Sequence, residues 1–218
     1  MTWFLGNLDV VLRLLREHLV FSLVPVALGL LLAIPLGWVA NRTATLRTVM
    51  TNAAGLLYTI PSLAVFVFMP AILGTQILDP VNVVVALTIY TVALLVRTVS
   101  DALTAVSGNV VDAANAMGYT PLRRFVGVEL PLAVPVIVAG LRVAAVSTIS
   151  LVTVGAVIGF GGLGLMFTEG FNRSNDAQIV TGIVLVLLLA LVVDSALLLA
   201  GKLLTPWERA RRAVGRTT

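Results

Sequence analysis

Residues 19–41 read LVFSLVPVALGLLLAIPLGWVAN, a run of 23 residues without a charged side chain. A helix needs about 20 mainly apolar residues to cross a hydrocarbon core about 30 Å thick, so this run is long enough to span a bilayer. The apolar core of a cleaved signal peptide covers only about 7–15 residues and precedes a small-residue cleavage site, and no such site follows here. The stretch therefore predicts a retained membrane helix.

The composition of the whole chain agrees with a membrane protein. Among its 218 residues, 59% are hydrophobic and 11% are charged, with one histidine and no cysteine. Soluble domains carry about 25% charged residues, so a water-soluble enzyme, a disordered protein and a disulfide-stapled secreted domain are excluded. Without cysteine, the chain has no thiolate metal site and no thiol nucleophile. Its length suits a single transmembrane domain over residues 1–218.

Five spans follow from the apolar runs between charges, and they predict an all-α integral membrane protein. We place them at approximately residues 19–41, 53–73, 80–98, 132–158 and 178–201, with a polar segment over residues 109–131. Residues 7–18 predict a separate, short amphipathic helix at the membrane interface, with Leu8, Val11, Leu12 and Leu15 on its apolar side.

The distribution of basic residues predicts the orientation. One side carries Arg42, Arg47, Arg97, Arg123, Arg124, Lys202, Arg209, Arg211, Arg212 and Arg216, whereas the other carries Arg13, Arg16 and Arg173. Cytoplasmic loops are enriched in Lys and Arg. The N-terminus is therefore expected outside and the C-terminus in the cytoplasm.

Small residues at four-residue spacing predict close helix packing. They are Gly29, Ala33 and Gly37 in the first span, and Gly140, Ala144 and Thr148 in the fourth. Prolines within the spans predict kinks, which suit a bundle around a pathway and also occur in ordinary bundle packing.

The polar segment predicts two short helices. Residues 112–118 read DAANAMG and form a helix that Gly118 can end, and Thr120 and Pro121 then start a second helix. Because a helix dipole disfavours cations in the first turn, Arg123 and Arg124 are expected to serve an external partner or lipid phosphates. Two interpretations fit the first helix equally: it inserts into a groove on a soluble partner, or it lies on the membrane and stabilises the bundle.

The spacing within this segment decides between them by resemblance. Asp112-Ala113-Ala114, three residues, Gly118, nine residues and then Val128-Glu129-Leu130-Pro131 resemble the E-A-A, G and I-x-L-P pattern of permease subunits of binding-protein-dependent ABC importers. The spacing is identical, and the departures are Asp for Glu and Val for Ile. The shorter Asp112 puts a salt bridge made by the family's Glu in question.

Two further stretches resemble the osmoprotectant branch of that family, whose permeases serve glycine betaine, carnitine and choline importers. Residues 58–64 read YTIPSLA, and Gly140-Leu141-Arg142 is followed by GAVIGFGGLG at residues 155–164. Methionine-type permeases share parts of both stretches, so the alternative solute is an amino acid or another small molecule.

The resemblance implies partners and a mechanism. Two permeases, either copies of this chain or this chain with a similar one, form the pathway of a type I importer in a bacterial plasma membrane. A dimer of ATP-binding subunits holds ATP and Mg²⁺ and docks on the coupling residues Asp112, Ala113, Ala114, Met117 and Gly118, with Leu130 and Pro131 as a hinge. An extracytoplasmic binding protein delivers the solute. We assign Thr59, Pro61, Ser62, Arg142, Gly159, Gly161, Gly162 and Gly164 to the pathway or its gate.

Other functions fit the sequence less well. The stretch Gly159–Gly164 matches G-x-G-x-x-G, but that fingerprint requires a strand before it and a helix after it, whereas here it ends a membrane span. The chain has no G-x-x-x-x-G-K-[ST], so it is not expected to hydrolyse ATP, and no catalytic, metal or cofactor site and no nucleic-acid partner are predicted. A membrane enzyme would need a cluster of catalytic His, Asp or Glu residues, and the sequence does not provide one. An autonomous ion-coupled carrier would be expected to show inverted repeats, and none is detectable in the sequence.

Lone polar residues leave alternatives open. Arg142 and Asp194 either pair with each other or a twin subunit, or Arg142 lines a gate; a charge inside a span is a functional hypothesis by default. His18 has no partner in the sequence and is expected to be structural. Trp38, Tyr58 and Tyr90 are of the type that binds quaternary ammonium by cation–π contact, but such residues also anchor helices at interfaces.

Overall fold

The computed structural model describes residue 3 and residues 6–207, and these form helices joined by short turns. In chain order the helices are α1 (Leu8–Ala40), α2 (Ala44–Thr59), α3 (Ser62–Leu73), α4 (Pro80–Thr104), α5 (Gly108–Ala116), α6 (Pro121–Arg124), α7 (Leu130–Gly155), α8 (Leu165–Asn172) and α9 (Asp176–Leu204). A π-helical turn, Phe125–Glu129, joins α6 to α7, and a 3-10 turn, Ala156–Ile158, follows α7. The described residues contain no strand, as the all-α fold class predicts.

Four helical units are long and apolar enough to cross a membrane: α1, α4, the unit Pro121–Ile158, and α9. Helices α2 and α3 meet the requirement only together, and a bend of 99° separates them. The described residues thus hold four spanning units, or five when the bent pair counts as one. The second span, expected over residues 53–73, is therefore broken in its middle. Pro61 has no N–H to donate to the carbonyl of Leu57, and α2 therefore ends just before it.

The spans alternate between two ends of the bundle. At one end, which we call the basic end, Asn41 Nδ2 donates to the carbonyl of Ser100 at 3.0 Å, joining α1 to α4. At the other, which we call the glycine end, the N–H of Leu163 donates to His18 Nδ1 at 3.2 Å. The predicted basic groups of residues 42–124 and Lys202 lie at the basic end. Arg209, Arg211, Arg212 and Arg216 lie outside the described residues.

Helix α4 is the centre of the bundle. Ala86, Leu87, Leu95 and Val99 are fully buried, because α1, α3 and α7 pack around them. A Cβ added to Gly29 would overlap the side chain of Thr91, so the backbones of α1 and α4 are in close contact. The close packing predicted from small residues in the first span is confirmed, and the same holds in the fourth, where Gly140 abuts Thr98.

The first helix differs from its prediction. Residues 8–18 continue directly into the span, so α1 has 33 residues and a length of about 50 Å. Val11, Leu14 and His18 are its buried positions in this part, whereas Leu12 is 60% exposed. Val11 and Leu14 pack against Leu163 and Met166. The separate interfacial helix is therefore wrong, because tertiary contacts at the glycine end extend the span.

We expect Gly37→Ala to destabilise the chain by about 1–3 kcal/mol, the usual effect of overpacking. The added Cβ would lie 2.6 Å from Val99 Cγ1 and 2.7 Å from Val99 Cβ. The matched control is Gly55→Ala, also within a helix but with no atom within 4 Å of the added Cβ, and it should be neutral or stabilising. Thermal unfolding of both variants in detergent measures the difference, and equal midpoints would contradict the close α1–α4 contact.

Candidate coupling segment and pathway residues

The predicted docking face of helix α5 is exposed on the surface of the chain. Asp112 and Ala113 are exposed, and Met117, which follows the helix, is 69% exposed. Ala114 is 1% exposed and anchors the helix to the body of the chain. A nine-residue helix is marginal on its own in water, so its position depends on the contacts of the turn that follows.

Gly118 makes that turn, as predicted. Its φ of +79° lies in the left-handed region, where other residues are disfavoured by about 1–2 kcal/mol. Its N–H donates to the carbonyl of Asn115 at 2.9 Å, and the N–H of Tyr119 donates to that of Ala114 at 3.2 Å. The two bonds close the end of α5. A Cβ at Gly118 would meet no atom within 4 Å, so conformation and not space requires glycine.

Arg124 fastens α5 to the next helix. Its guanidinium donates to Asn115 Oδ1 at 2.6 Å and forms an ion pair with Glu129. The guanidinium of Arg123 lies over the ring of Tyr119, 5.1 Å from the centroid. The expectation that both arginines serve external groups is wrong for Arg124, because Glu129 compensates its unfavourable place in the first turn of the helix.

Leu130 and Pro131 lie where the π-helical turn passes into α7. The N–H of Leu130 donates to the carbonyl of Phe125, five residues earlier. Pro131 has no N–H to donate to Gly127, which explains why the α-helical pattern is interrupted here. The helix nevertheless continues from Pro121 to Ile158. The predicted second short helix thus begins at Pro121, but it is the first turn of the fourth span and not a separate helix. The role of Leu130 and Pro131 as a hinge stays a prediction.

Thr59, Pro61 and Ser62 lie together at the break between α2 and α3. Thr59 Oγ1 donates to the carbonyl of Leu56 at 2.6 Å, which satisfies one acceptor of the last turn. The Tyr90 hydroxyl donates to the carbonyl of Ile60. Residues 55–61 are exposed in the single chain. The break is therefore an open surface of non-helical backbone.

The glycine segment, residues 159–164, is a tight turn held by the first helix. Gly159 and Gly162 both have φ of +89°. Glu17 Oε2 accepts from the N–H of Gly162 at 3.1 Å, and a Cβ on Gly161 would overlap this carboxylate. The glycines thus let the carboxylate approach the backbone, which is a structural reason for their spacing.

His18, the one histidine of the chain, is buried and has partners on two other elements, which fits the structural role expected for it. Its Nδ1 accepts from Leu163 N–H, and its Nε2 lies 3.0 Å from the carbonyl of Ile149. With Nδ1 accepting, the proton belongs on Nε2, where it donates to Ile149.

The sequence does not single out Glu17 as a functional residue. The signal available was an acidic residue beside the histidine at the start of an apolar run, which is too common to be specific.

Arg142 and Asp194 form the predicted pair within the bundle. Nε and Nη2 of Arg142 donate to the two carboxylate oxygens at 2.8 and 2.7 Å. This fork-to-fork contact is the most specific geometry that arginine makes with a carboxylate. The pairing interpretation is confirmed, and it joins α7 to α9. The assignment of Arg142 to a gate stays a prediction.

Apart from Arg142, which pairs with Asp194, the predicted site residues form three separate groups: the α5 turn with the π-helical turn, the α2–α3 break, and the glycine segment. The first lies at the basic end, the third at the glycine end, and the break between them. Among the described residues, no three His, Cys, Asp or Glu side chains form a group that could hold a metal ion.

Comparison with protein families decides the assignment. Residues 26–207 match the model of the binding-protein-dependent transport system inner membrane component. The chain belongs to this family. Its predicted class, an ABC importer permease of a bacterial inner membrane, is thereby confirmed.

Individual relatives agree with the predicted branch. The choline transport system permease protein of Bacillus subtilis is 36% identical over 190 residues, which cover 87% of this chain and 86% of that protein. The osmoprotectant import permease protein of Salmonella typhimurium is 34% identical, covering 94% and 96%. A solved inward-facing structure of the MetNI methionine ABC transporter is 24% identical with a TM-score of 0.83, covering 92% and 98%, and shows that the fold is shared.

Removing the carboxylate of Glu17 should loosen the glycine segment. We expect Glu17→Leu to lower the free energy of unfolding by about 1–3 kcal/mol, because it leaves a backbone donor without its acceptor. Glu17→Gln keeps an acceptor oxygen and should stay close to the parent. Hydrogen exchange at the amides of Gly162 and Leu163 measures the effect, and unchanged exchange in the Leu variant would refute the contact.

The Arg142–Asp194 pair should show strong coupling between its members. Arg142→Leu and Asp194→Leu each leave one charge without its partner inside the bundle, so each should lower the thermal midpoint in detergent. The double variant removes both charges and should recover most of the loss, since replacing both partners by apolar residues is often neutral. Strictly additive losses would mean that the two side chains act independently.

Proposed function

We propose that this chain, with a second permease, forms the translocation pathway of an ATP-driven importer for a small osmoprotectant such as glycine betaine, choline or carnitine. The observation that carries the proposal is the similarity to the choline permease over 87% of the chain. The stretches YTIPSLA and GAVIGFGGLG support it, since they resemble the osmoprotectant branch.

Coupling to ATP would run through α5. Its exposed residues Asp112, Ala113 and Met117 would dock on the ATP-binding subunit, while buried Ala114 and the Arg124 contacts hold α5 to the body. Closure of the ATPase dimer would then move α5, and the continuous unit Pro121–Ile158 would carry this motion across the membrane. Thr59, Pro61 and Ser62 at the α2–α3 break, together with the glycine segment, would form the pathway and its gate, since non-helical backbone at membrane depth belongs beside a cavity or protein.

The basic end would face the cytoplasm, because positively charged loops are retained there. The ATP-binding dimer would meet this end and hydrolyse ATP with Mg²⁺, so the chain itself would be no enzyme and hold no cofactor. A substrate-binding protein would dock at the glycine end. The second permease would be a copy of this chain or a related one, and the lipid bilayer would surround the pair.

Co-purification and transport test the proposal together. The tagged chain is purified from native membranes with its bound proteins, and the recovered complex is placed in proteoliposomes. Labelled choline, glycine betaine, carnitine and methionine are the probes. Recovery of an ATP-binding subunit with ATP-dependent uptake of a quaternary amine supports the proposal. Uptake of methionine alone would favour an amino acid importer, and ion-driven uptake by the chain alone would favour an autonomous carrier.

Substitution at Gly118 tests the coupling segment. Gly118→Arg should abolish transport while membrane insertion persists, because the long side chain would block docking on the ATPase. Gly118→Asn is the control, since Asn tolerates the left-handed conformation and space is open there; it should retain most of the transport. Uptake at the parent rate in the Arg variant would remove α5 from the coupling role.

A further inference from the structure

Three aromatic side chains, Trp38, Tyr58 and Tyr90, are candidates for contact with a quaternary ammonium group. Two of them, Trp38 and Tyr90, already make contacts within the chain. Trp38 stacks on Phe125 with ring centroids 5.0 Å apart, and the guanidinium of Arg42 lies 4.6 Å from its ring centroid. Tyr90 is 3% exposed, and its hydroxyl donates to the carbonyl of Ile60. Their surfaces are used within the chain.

Tyr58 is the third, and it is 41% exposed. Its ring meets that of Tyr90 edge to face, with centroids 5.8 Å apart and planes at 79°. The two tyrosines pack against Thr91, Ser147 and Thr148 without leaving a water-sized cavity between them, and the hydroxyls of Thr91 and Thr148 donate to carbonyls of their own helices. One contact therefore orients the Tyr58 ring, while much of its surface is open.

The position of Tyr58 in the chain indicates which environment this surface faces. It lies in the last turn of α2, where the final carbonyls have no helical donors and Pro61 supplies no N–H. In a bilayer, non-helical backbone occurs only where protein buries it or where it lines a water-filled cavity. We therefore expect the break between α2 and α3, and Tyr58 beside it, to face protein or a water-filled cavity and not lipid.

We propose that Tyr58 is a specificity-determining residue, whose ring face contacts the cationic headgroup of the solute as it passes the α2–α3 break. The proposal rests on the proposed function, because it assumes a quaternary amine as solute. The negative face of an aromatic ring attracts a cation, and the attraction is greater where water is excluded. The half-buried Ser147 beside the two tyrosines carries a hydroxyl that suits the polar remainder of such a molecule.

Ring chemistry at position 58 tests this directly. The complete importer is reconstituted with its binding protein and ATPase, and ATP-dependent choline uptake is compared in Tyr58→Phe and Tyr58→Leu. The Phe variant keeps the ring face and should transport at a rate close to that of the parent. The Leu variant should be slower by about twofold to thirtyfold, the factor that a lost cation–π contact implies, while ATP hydrolysis continues.

Stepwise fluorination of a phenylalanine at position 58 weakens the ring quadrupole at nearly constant shape. Uptake should fall progressively from the unsubstituted ring to the mono-, di- and trifluorinated rings. Leu56→Ala is the control for general damage to α2, because Leu56 is 70% exposed and not aromatic, and it should leave uptake unchanged. A flat response to fluorination, with equal rates in the Phe and Leu variants, would overturn the proposal.

Two further outcomes separate this proposal from the function on which it rests. If the parent complex imports none of choline, glycine betaine and carnitine, the osmoprotectant function fails and the role of Tyr58 fails with it. If the parent imports choline and the Leu variant loses the second permease on size-exclusion chromatography, Tyr58 belongs to a subunit interface, and only the specificity role is overturned.

Discussion

A bilayer offers no hydrogen-bond partners to the backbone, and this constraint governs the irregular parts of the bundle. At the α2–α3 break and at the glycine segment, a side chain from another helix satisfies a backbone group. The hydroxyl of Tyr90 donates a hydrogen bond to the carbonyl of Ile60. In the glycine segment, Glu17 and His18 accept hydrogen bonds from the backbone N–H groups of Gly162 and Leu163. The two irregular segments are therefore fixed by long-range contacts, and both are assigned to the pathway.

The fold was largely predictable because its signals are local. Apolar runs gave the spanning helices, small residues at four-residue spacing gave the α1–α4 contact, and Gly118 gave the turn after α5. The bend of 99° between α2 and α3 was not predictable in size, since Pro61 indicates a kink but its angle depends on packing against α4. The extension of α1 through residues 8–18 likewise depends on Leu163 and Met166, which are distant in sequence.

The sites divide in the same way. The turn at Gly118 and the exposed helix before it were predictable because their residues are contiguous, whereas the coupling role of this segment stays a prediction. The partners of His18 lie 131 and 145 residues away along the chain, so no local pattern reveals them. Arg142 and Asp194 were paired as one of two interpretations, because two opposite charges in apolar surroundings have few alternatives. The helix dipole alone does not predict the role of Arg124, because Glu129, about one turn further along the helix, forms an ion pair with it.

The continuous unit Pro121–Ile158 contains 38 residues and extends about 57 Å at α-helical rise. Near its midpoint, Gly140 lies against Thr98 and Arg142 is fastened to Asp194. A lever that pivots at its middle moves its two ends in opposite directions. A push on the end that carries α5 would therefore swing the end beside the glycine segment the other way, and closing one mouth of the bundle would open the other.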